Sequence, residues 1–199
     1  VNKSVHSTSD SLKILTSQLD QSDRVFFTRF GDVELKMING ENIVGGNKNI
    51  CTPQLREELT KSFSVKHEDY LIAASGKWEN EEGMTKGCLQ SWDIELEGMY
   101  LNPVLFHYLV VFNNPVFEEF MERYIRPFKK LYIGCIPPDS LTKILGKVDY
   151  WIETPPLGAH ATIDKWFKKI PDVKVIIPSC GESSKVINYR LWEQGLRVH

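Results

Sequence analysis

The segment Arg29-Phe30-Gly31-Asp32-Val33-Glu34 sets two carboxylates two residues apart, with a guanidinium and a glycine just upstream. The apolar run Val25-Phe26-Phe27 precedes it and reads as a buried strand, while Leu35, Met37 and Ile38 follow at helical spacing. Where a strand turns into a helix, two acids can converge on one hard cation such as Mg²⁺ or Mn²⁺ through oxygen ligands. An ion held there can bridge the phosphates of a nucleoside-diphosphate sugar and stabilise the diphosphate as it leaves. Arg29 adds a planar fork suited to phosphate or carboxylate. Gly31 permits close backbone approach or a positive φ.

The spacing alone says little, because about one Asp-x-Glu arises by chance in a chain of this size. A second one is present, Asp93-Ile94-Glu95. It lies in what reads as a helix interior, where residues two apart point to nearly opposite sides, so it is expected to be a solvated face. For Asp32 the competing reading is a helix N-cap. The capping-box partner would then fall at Leu35, which leaves Glu34 one residue short, although the first helical turn still favours an acid. Capping and metal binding both remain open on the residues alone.

A second phosphate candidate follows the strand-like run Val173–Pro178. There Ser179-Cys180-Gly181-Glu182-Ser183-Ser184 leads into a long helical pattern, presenting free N–H groups at the positive end of a helix. Ser183 and Ser184 could donate hydroxyls. The loop matches neither a Walker motif nor GxGxxG, and a plain turn with Ser183 or Ser184 as the cap accounts for it equally well. Glu182 would repel a phosphate and is expected to face a sugar hydroxyl, a ribose or water. The loop Thr154–His160 should line a cleft at the strand ends. His160 or Asp164 could act there as a general base towards an acceptor hydroxyl, against the simpler reading of a structural histidine at a helix start. Trp78 and Trp92 could stack on a sugar ring or belong to the core.

These candidates need a scaffold, and the rest of the chain supplies one. Its 42% apolar and 25% charged content is that of an ordinary globular domain, and 199 residues suit one domain rather than two. The net charge of −2 gives no nucleic-acid footprint. The densest basic group, Arg123, Arg126, Lys129 and Lys130, reads as a solvated helix face and its exit. No apolar run is long enough to span a membrane, and the N-terminus is not a signal peptide. The start without Met and the strand-like Leu196–Val198 at the other end suggest a domain truncated at one or both ends. Cys51, Cys88, Cys135 and Cys180 form no CxxC pair, so neither a zinc site nor a disulfide framework is expected. Cys135 and Cys180 end apolar runs and read as buried reduced thiols, which points to a cytoplasmic compartment.

Short apolar runs alternate with helical patterns, the pattern of an α/β domain. Strands are predicted at Arg24–Thr28, Tyr70–Ala74, Leu131–Cys135, Val148–Ile152 and Val173–Pro178. Helices are predicted after Ser9 or Asp10, after Thr52-Pro53, over Leu141–Leu145 closed by Gly146, through Ile163–Phe167, and over Glu182–Gln194 stopped by Gly195. The less regular stretch from Lys77 to Asn114 reads as two helices, Leu89–Met99 and Pro103–Phe112, or as a long insertion over the sheet.

Arg29-Phe30-Gly31-Asp32-Val33-Glu34 resembles the Arg-x-Gly-Asp-Gly-Glu signature of the GT-D-type glycosyltransferases, long known as a domain of unknown function in bacterial surface-glycan and adhesin-glycosylation loci. The Leu131–Cys135 strand, the Val148–Ile152 strand with its Pro-rich exit, and Ser179-Cys180-Gly181…Tyr189…Gly195 fall in that family's order. Only the first motif is specific. Val33 departs from the usual Gly and stiffens the turn. The family's Asp-x-Gly after the last strand is not among these residues. The resemblance implies a Rossmann-like α/β fold, with a mostly parallel sheet and helices on both faces. It also implies a UDP-sugar donor and a Mn²⁺ or Mg²⁺ ion at Asp32 and Glu34. Arg29 and Gly31 would shape that site, and Ser179, Gly181, Glu182 and Ser183 would border the nucleotide. The activity expected is transfer of a hexose to a hydroxyl of a glycan or glycoconjugate. The rivals are a non-catalytic nucleotide-binding module, a metal-dependent phosphoester hydrolase that uses Asp32, and a non-enzymatic interaction domain.

Overall fold

The computed structural model describes residues 5–42, 50–74 and 98–195. Trp78, Trp92, Cys88, the Asp93/Glu95 pair, nearly all of the helix expected over Leu89–Met99, and Leu196–Val198 lie outside the described residues. In chain order the elements are α1 (Thr8–Gln21), β1 (Phe26–Phe30), α2 (Asp32–Ile38), α3 (Pro53–Phe63), β2 (Tyr70–Ala74), α4 (Leu105–Phe112), α5 (Asn114–Tyr124), β3 (Lys130–Gly134), α6 (Thr142–Leu145), β4 (Tyr150–Glu153), α7 (Ile163–Trp166), β5 (Val175–Ser179) and α8 (Ser183–Glu193). Short 3₁₀ turns lead into α6 and flank α7.

The helix ends follow local chemistry. The Ser7 hydroxyl accepts from the Asp10 N–H to start α1, and Thr52 caps α3 from the Leu55 N–H with Pro53 at the first helical position. Gly146 and Gly195, at φ of 69° and 70°, end α6 and α8 in backbone conformations that a side chain would oppose. Strand β1 begins and ends two residues later than its apolar run suggests, and β5 begins two and ends one later, because ladder partners rather than composition set their limits.

All strand pairs are parallel, as the βαβ reading requires, but they form two sheets. β1 pairs with β2, and β3 lies between β4 and β5. Alternation along the first sheet separates two cores. Phe26, Phe30, Tyr70 and Ile72 pack on the side of α2, α3 and α8, while Val25, Phe27 and Leu71 pack with Leu15, Leu105 and Phe120 on the side of α1, α4 and α5. Helices therefore cover both faces, and the carboxyl ends of β1 and β5 carry both candidate loops.

Candidate functional site

β1 delivers Arg29 as an exposed residue near its carboxyl end, next to the buried Phe30. The Arg29 Nε donates to the Pro103 carbonyl at 2.6 Å, which aims the guanidinium across the strand end. The chain then turns into α2 with Gly31, not Asp32, as N-cap, so Glu34 falls at the third helical position after all. The Gly31 N–H donates to Glu34 Oε2 at 2.8 Å, the reciprocal half of a capping box. Gly31 serves here through close approach rather than positive φ. Its φ is −88°, and a Cβ on it would lie 3.1 Å from Glu34 Oε2.

Asp32 and Glu34 part company. Glu34 is buried and places Oε1 2.5 Å from the Lys185 Nζ of α8. Burial alone would raise its pKa, but the Lys185 ammonium and the backbone N–H groups of Gly31 and Glu34 outweigh it and hold the carboxyl below the ordinary range. Asp32 stays partly exposed, 3.7 Å from the Lys36 Nζ one turn on. The helical geometry that sets residues two apart on different sides thus applies from the first turn of α2. Among the described residues, no three His, Cys, Asp or Glu side chains gather into a metal-binding group.

The β5–α8 turn lines a cavity that Arg29 shares and that Gly31, Asp32 and Glu34 do not line. Gly181 sits at a φ of 61° and its carbonyl accepts from the Lys185 Nζ at 3.1 Å. The Ser184 hydroxyl accepts from the Cys180 N–H at 3.0 Å, so it braces the turn instead of capping the helix. Ser179 is exposed and Ser183 fully buried. Glu182 is 2% exposed, which corrects the expectation that it faces a sugar hydroxyl, a ribose or water; the tight turn after Gly181 directs it inwards. Cys180 is buried as expected, with burial pushing its thiol up to about 11, whereas Cys135 is exposed. A cavity of about 580 Å³ has Arg29, Ser179, Gly181, Ser184 and Lys185 on its lining.

His160 and Asp164 do not line that cavity. His160 Nε2 lies 2.7 Å from Glu58 Oε2, Arg190 holds Glu58 Oε1 through Nε at 2.8 Å, and Asp164 accepts from the same guanidinium at 2.5 Å. This cluster ties the turn before α7 to α3 and α8. Lys185, Glu58 and Arg190 escaped sequence reasoning. Lys185 left one signal, its place four residues after Gly181 on the inner side of α8. In the basic group near residue 126, Arg123 pairs with Asp20 at 2.8 Å and Arg126 with Glu118 and Glu122, each at 2.7 Å, but Lys130 is buried rather than on a solvated face, its ammonium donating to the Arg126 and Lys147 carbonyls.

Parallel strands with helices on both faces define a Rossmann-like α/β protein. A selenomethionine-substituted structure of domain of unknown function 1792 (DUF1792) matches it with a TM-score of 0.73 at 17% identity, over 98% of this chain and 76% of that one. A second structure of this highly conserved domain, described as having a distinct glycosyltransferase fold, matches with a TM-score of 0.69 at 16% identity over the same shares. The chain therefore has the DUF1792 glycosyltransferase fold, the fold that the Arg29–Glu34 resemblance implies. No protein-family model and no curated protein matches the chain. Among the described residues, no helix is long and apolar enough to cross a membrane.

Proposed function

We propose that this chain is a glycosyltransferase domain that moves a sugar from a UDP-sugar to a hydroxyl of a glycan or glycoconjugate. The supporting observation is that Arg29 and the β5–α8 turn, with Lys185, share the lining of one cavity, which runs along β1 and β5 to their carboxyl ends; open α/β sheets bind ligands at that end. Arg29 contributes a guanidinium and α8 the positive end of an eleven-residue helix, both suited to a diphosphate. Their task is to offset the charge that develops on UDP as it leaves.

The carboxylates suit a divalent cation unequally. Asp32 is open enough to take a hard ion such as Mn²⁺ or Mg²⁺, while both Glu34 oxygens are engaged, one by Gly31 and one by Lys185. Asp32 would hold the ion, with Glu34 joining only if it gives up Lys185. Bound there, a divalent ion supplies positive charge to the donor diphosphate. Glu34 meanwhile fixes the Lys185 ammonium, and Gly31 fixes Glu34. The same engagement of Glu34 favours a second reading, a nucleotide-binding module without transfer.

The test combines thermal shift with turnover. UDP-sugar should raise the melting temperature by mass action, and more so with Mn²⁺. Asp32→Ala should cut sugar transfer about a hundredfold, or about 2.7 kcal/mol of barrier, while stability changes by less than about 0.5 kcal/mol. Unchanged transfer in Asp32→Ala would remove the metal role. Nucleotide binding with no transfer to any sugar hydroxyl would establish the second reading.

A further inference from the structure

The carboxyl ends of β3, β4 and β5 carry a second group of side chains, beside the cavity and with no part in holding a diphosphate. Leu131 and Ile133 of β3 pack into the core shared with α3 and α8, so Tyr132 and Gly134 turn to the opposite face of the sheet. The parallel register carries Trp151 and Glu153 of β4, and Ile177 and Ser179 of β5, to that same face. Glu153, Gly134 and Ser179 stand side by side in one row across the strand ends, and Ile177 and Ser179 line the cavity. Two strand spacings, about 10 Å, separate Glu153 from Ser179. Among the described residues β4 is the outer strand of its sheet, so no further strand closes the row on its far side.

Trp151 forms a fixed platform at the end of that row. Its Nε1 donates to the Gly134 carbonyl at 2.9 Å, which holds the indole across the ends of β3 and β4 while 38% of the residue stays exposed. Among the described residues no ring or cation packs on it, whereas the neighbouring Tyr150 ring carries the Lys129 ammonium at 4.9 Å. Ile136, just past β3, and Leu157, just past β4, add exposed apolar surface at the same strand ends. Glu153 is exposed and, unlike His160 and Asp164, has no hydrogen-bond or ion-pair partner among the described residues. It follows Trp151 on the same side of the strand, about 7 Å along it. Gly134 makes room for Tyr132, whose hydroxyl occupies the place a Gly134 side chain would take and is buried and unpartnered among the described residues. A buried hydroxyl in that state calls for a polar partner.

We propose that Trp151 and Glu153 form the subsite for the acceptor sugar, an assignment that rests on the transferase reading above. A pyranose offers an apolar C–H face and a rim of hydroxyls. The electron-rich indole face takes the first, and the Glu153 carboxylate accepts hydrogen bonds from the second. Their spacing lets one ring touch both. The row then leads from the acceptor on β4 to the donor in the cavity beside Ser179. The Tyr132 hydroxyl lies between them, where a sugar hydroxyl supplies the partner it lacks.

Saturation-transfer difference NMR on the full chain tests this, with the methyl glycosides of glucose, galactose and N-acetylglucosamine as probes and UDP binding followed in parallel by calorimetry. At least one glycoside should bind, and Trp151→Ala should weaken it about three- to tenfold. Trp151→Phe, which keeps a ring, should lose less. Glu153→Gln, a change of equal size at an exposed position, should keep the fold and weaken the same glycoside about fivefold. UDP affinity should stay within about twofold in all three variants, because the contacts are separate. Glycoside binding that Trp151→Ala and Glu153→Gln both leave unchanged would overturn the proposal, as would the absence of any glycoside binding. So would a loss of UDP or UDP-sugar affinity in the same variants, which would move these residues to the donor. A native dimer that Trp151→Ala turns into monomers would also overturn it and give the platform to a second copy. Glycosides bound through Trp151 by a native chain that does not bind UDP would support the sugar subsite and remove the donor reading alone.

Discussion

Helix α8 meets two carboxylates, the buried Glu34 and the half-buried Glu58, and engages them differently. Near its start, Lys185 offers Glu34 a compact ammonium whose other contact is the Gly181 carbonyl. Five residues on, Arg190 spreads its fork over Glu58 and Asp164 while His160 takes the second Glu58 oxygen. The Arg190 group joins α3, α7 and α8 and lies off the cavity. Lys185 lines the cavity, and its partner Glu34 lies just past the carboxyl end of β1. Ionic partners alone do not separate a clamp from a ligand site, since buried pairs occur in both. The position relative to the strand ends does.

Three measurements sharpen the contrast. Lys185→Met leaves Glu34 buried without its cation and should cost about 3–5 kcal/mol in urea unfolding. Adding Glu34→Gln should recover most of that loss, and failure to recover would show that Lys185 acts mainly through packing. Glu58→Gln should cost less, about 2 kcal/mol, because Arg190 keeps Asp164 and the partners are partly solvated. Its UDP-sugar affinity should stay within about twofold. A large loss of affinity would place the clamp in the site.

The smallest effect is on pH. Glu34's pKa in the fold lies below its ordinary 4.5. Between the folded and unfolded values the unfolded chain binds more protons, so the pair's stabilisation is present above about 4.5 and lost as pH falls through the folded value. Unfolding midpoints from pH 6 down to pH 3 should therefore fall more steeply for the native chain than for Glu34→Gln. Parallel curves would mean that the ion pair contributes little.

Much of this was legible in residue order. The alternation of apolar runs with capped helical patterns determined a parallel α/β domain. Thr52-Pro53 and Gly195 marked helix ends because capping depends on a few adjacent residues. Arg29 through Glu34 located the candidate site at a strand end. Only the tertiary structure decided that Gly31 is the cap, that Glu34 turns to Lys185 while Asp32 stays outside, and that His160 and Asp164 serve a clamp. It also decided that the described strands form two sheets, with one cavity lined by β1 and β5. Local spacing fixes where a side chain starts, but its charge partner lies over a hundred residues away, and only the packing of α2, α3 and α8 brings the two together.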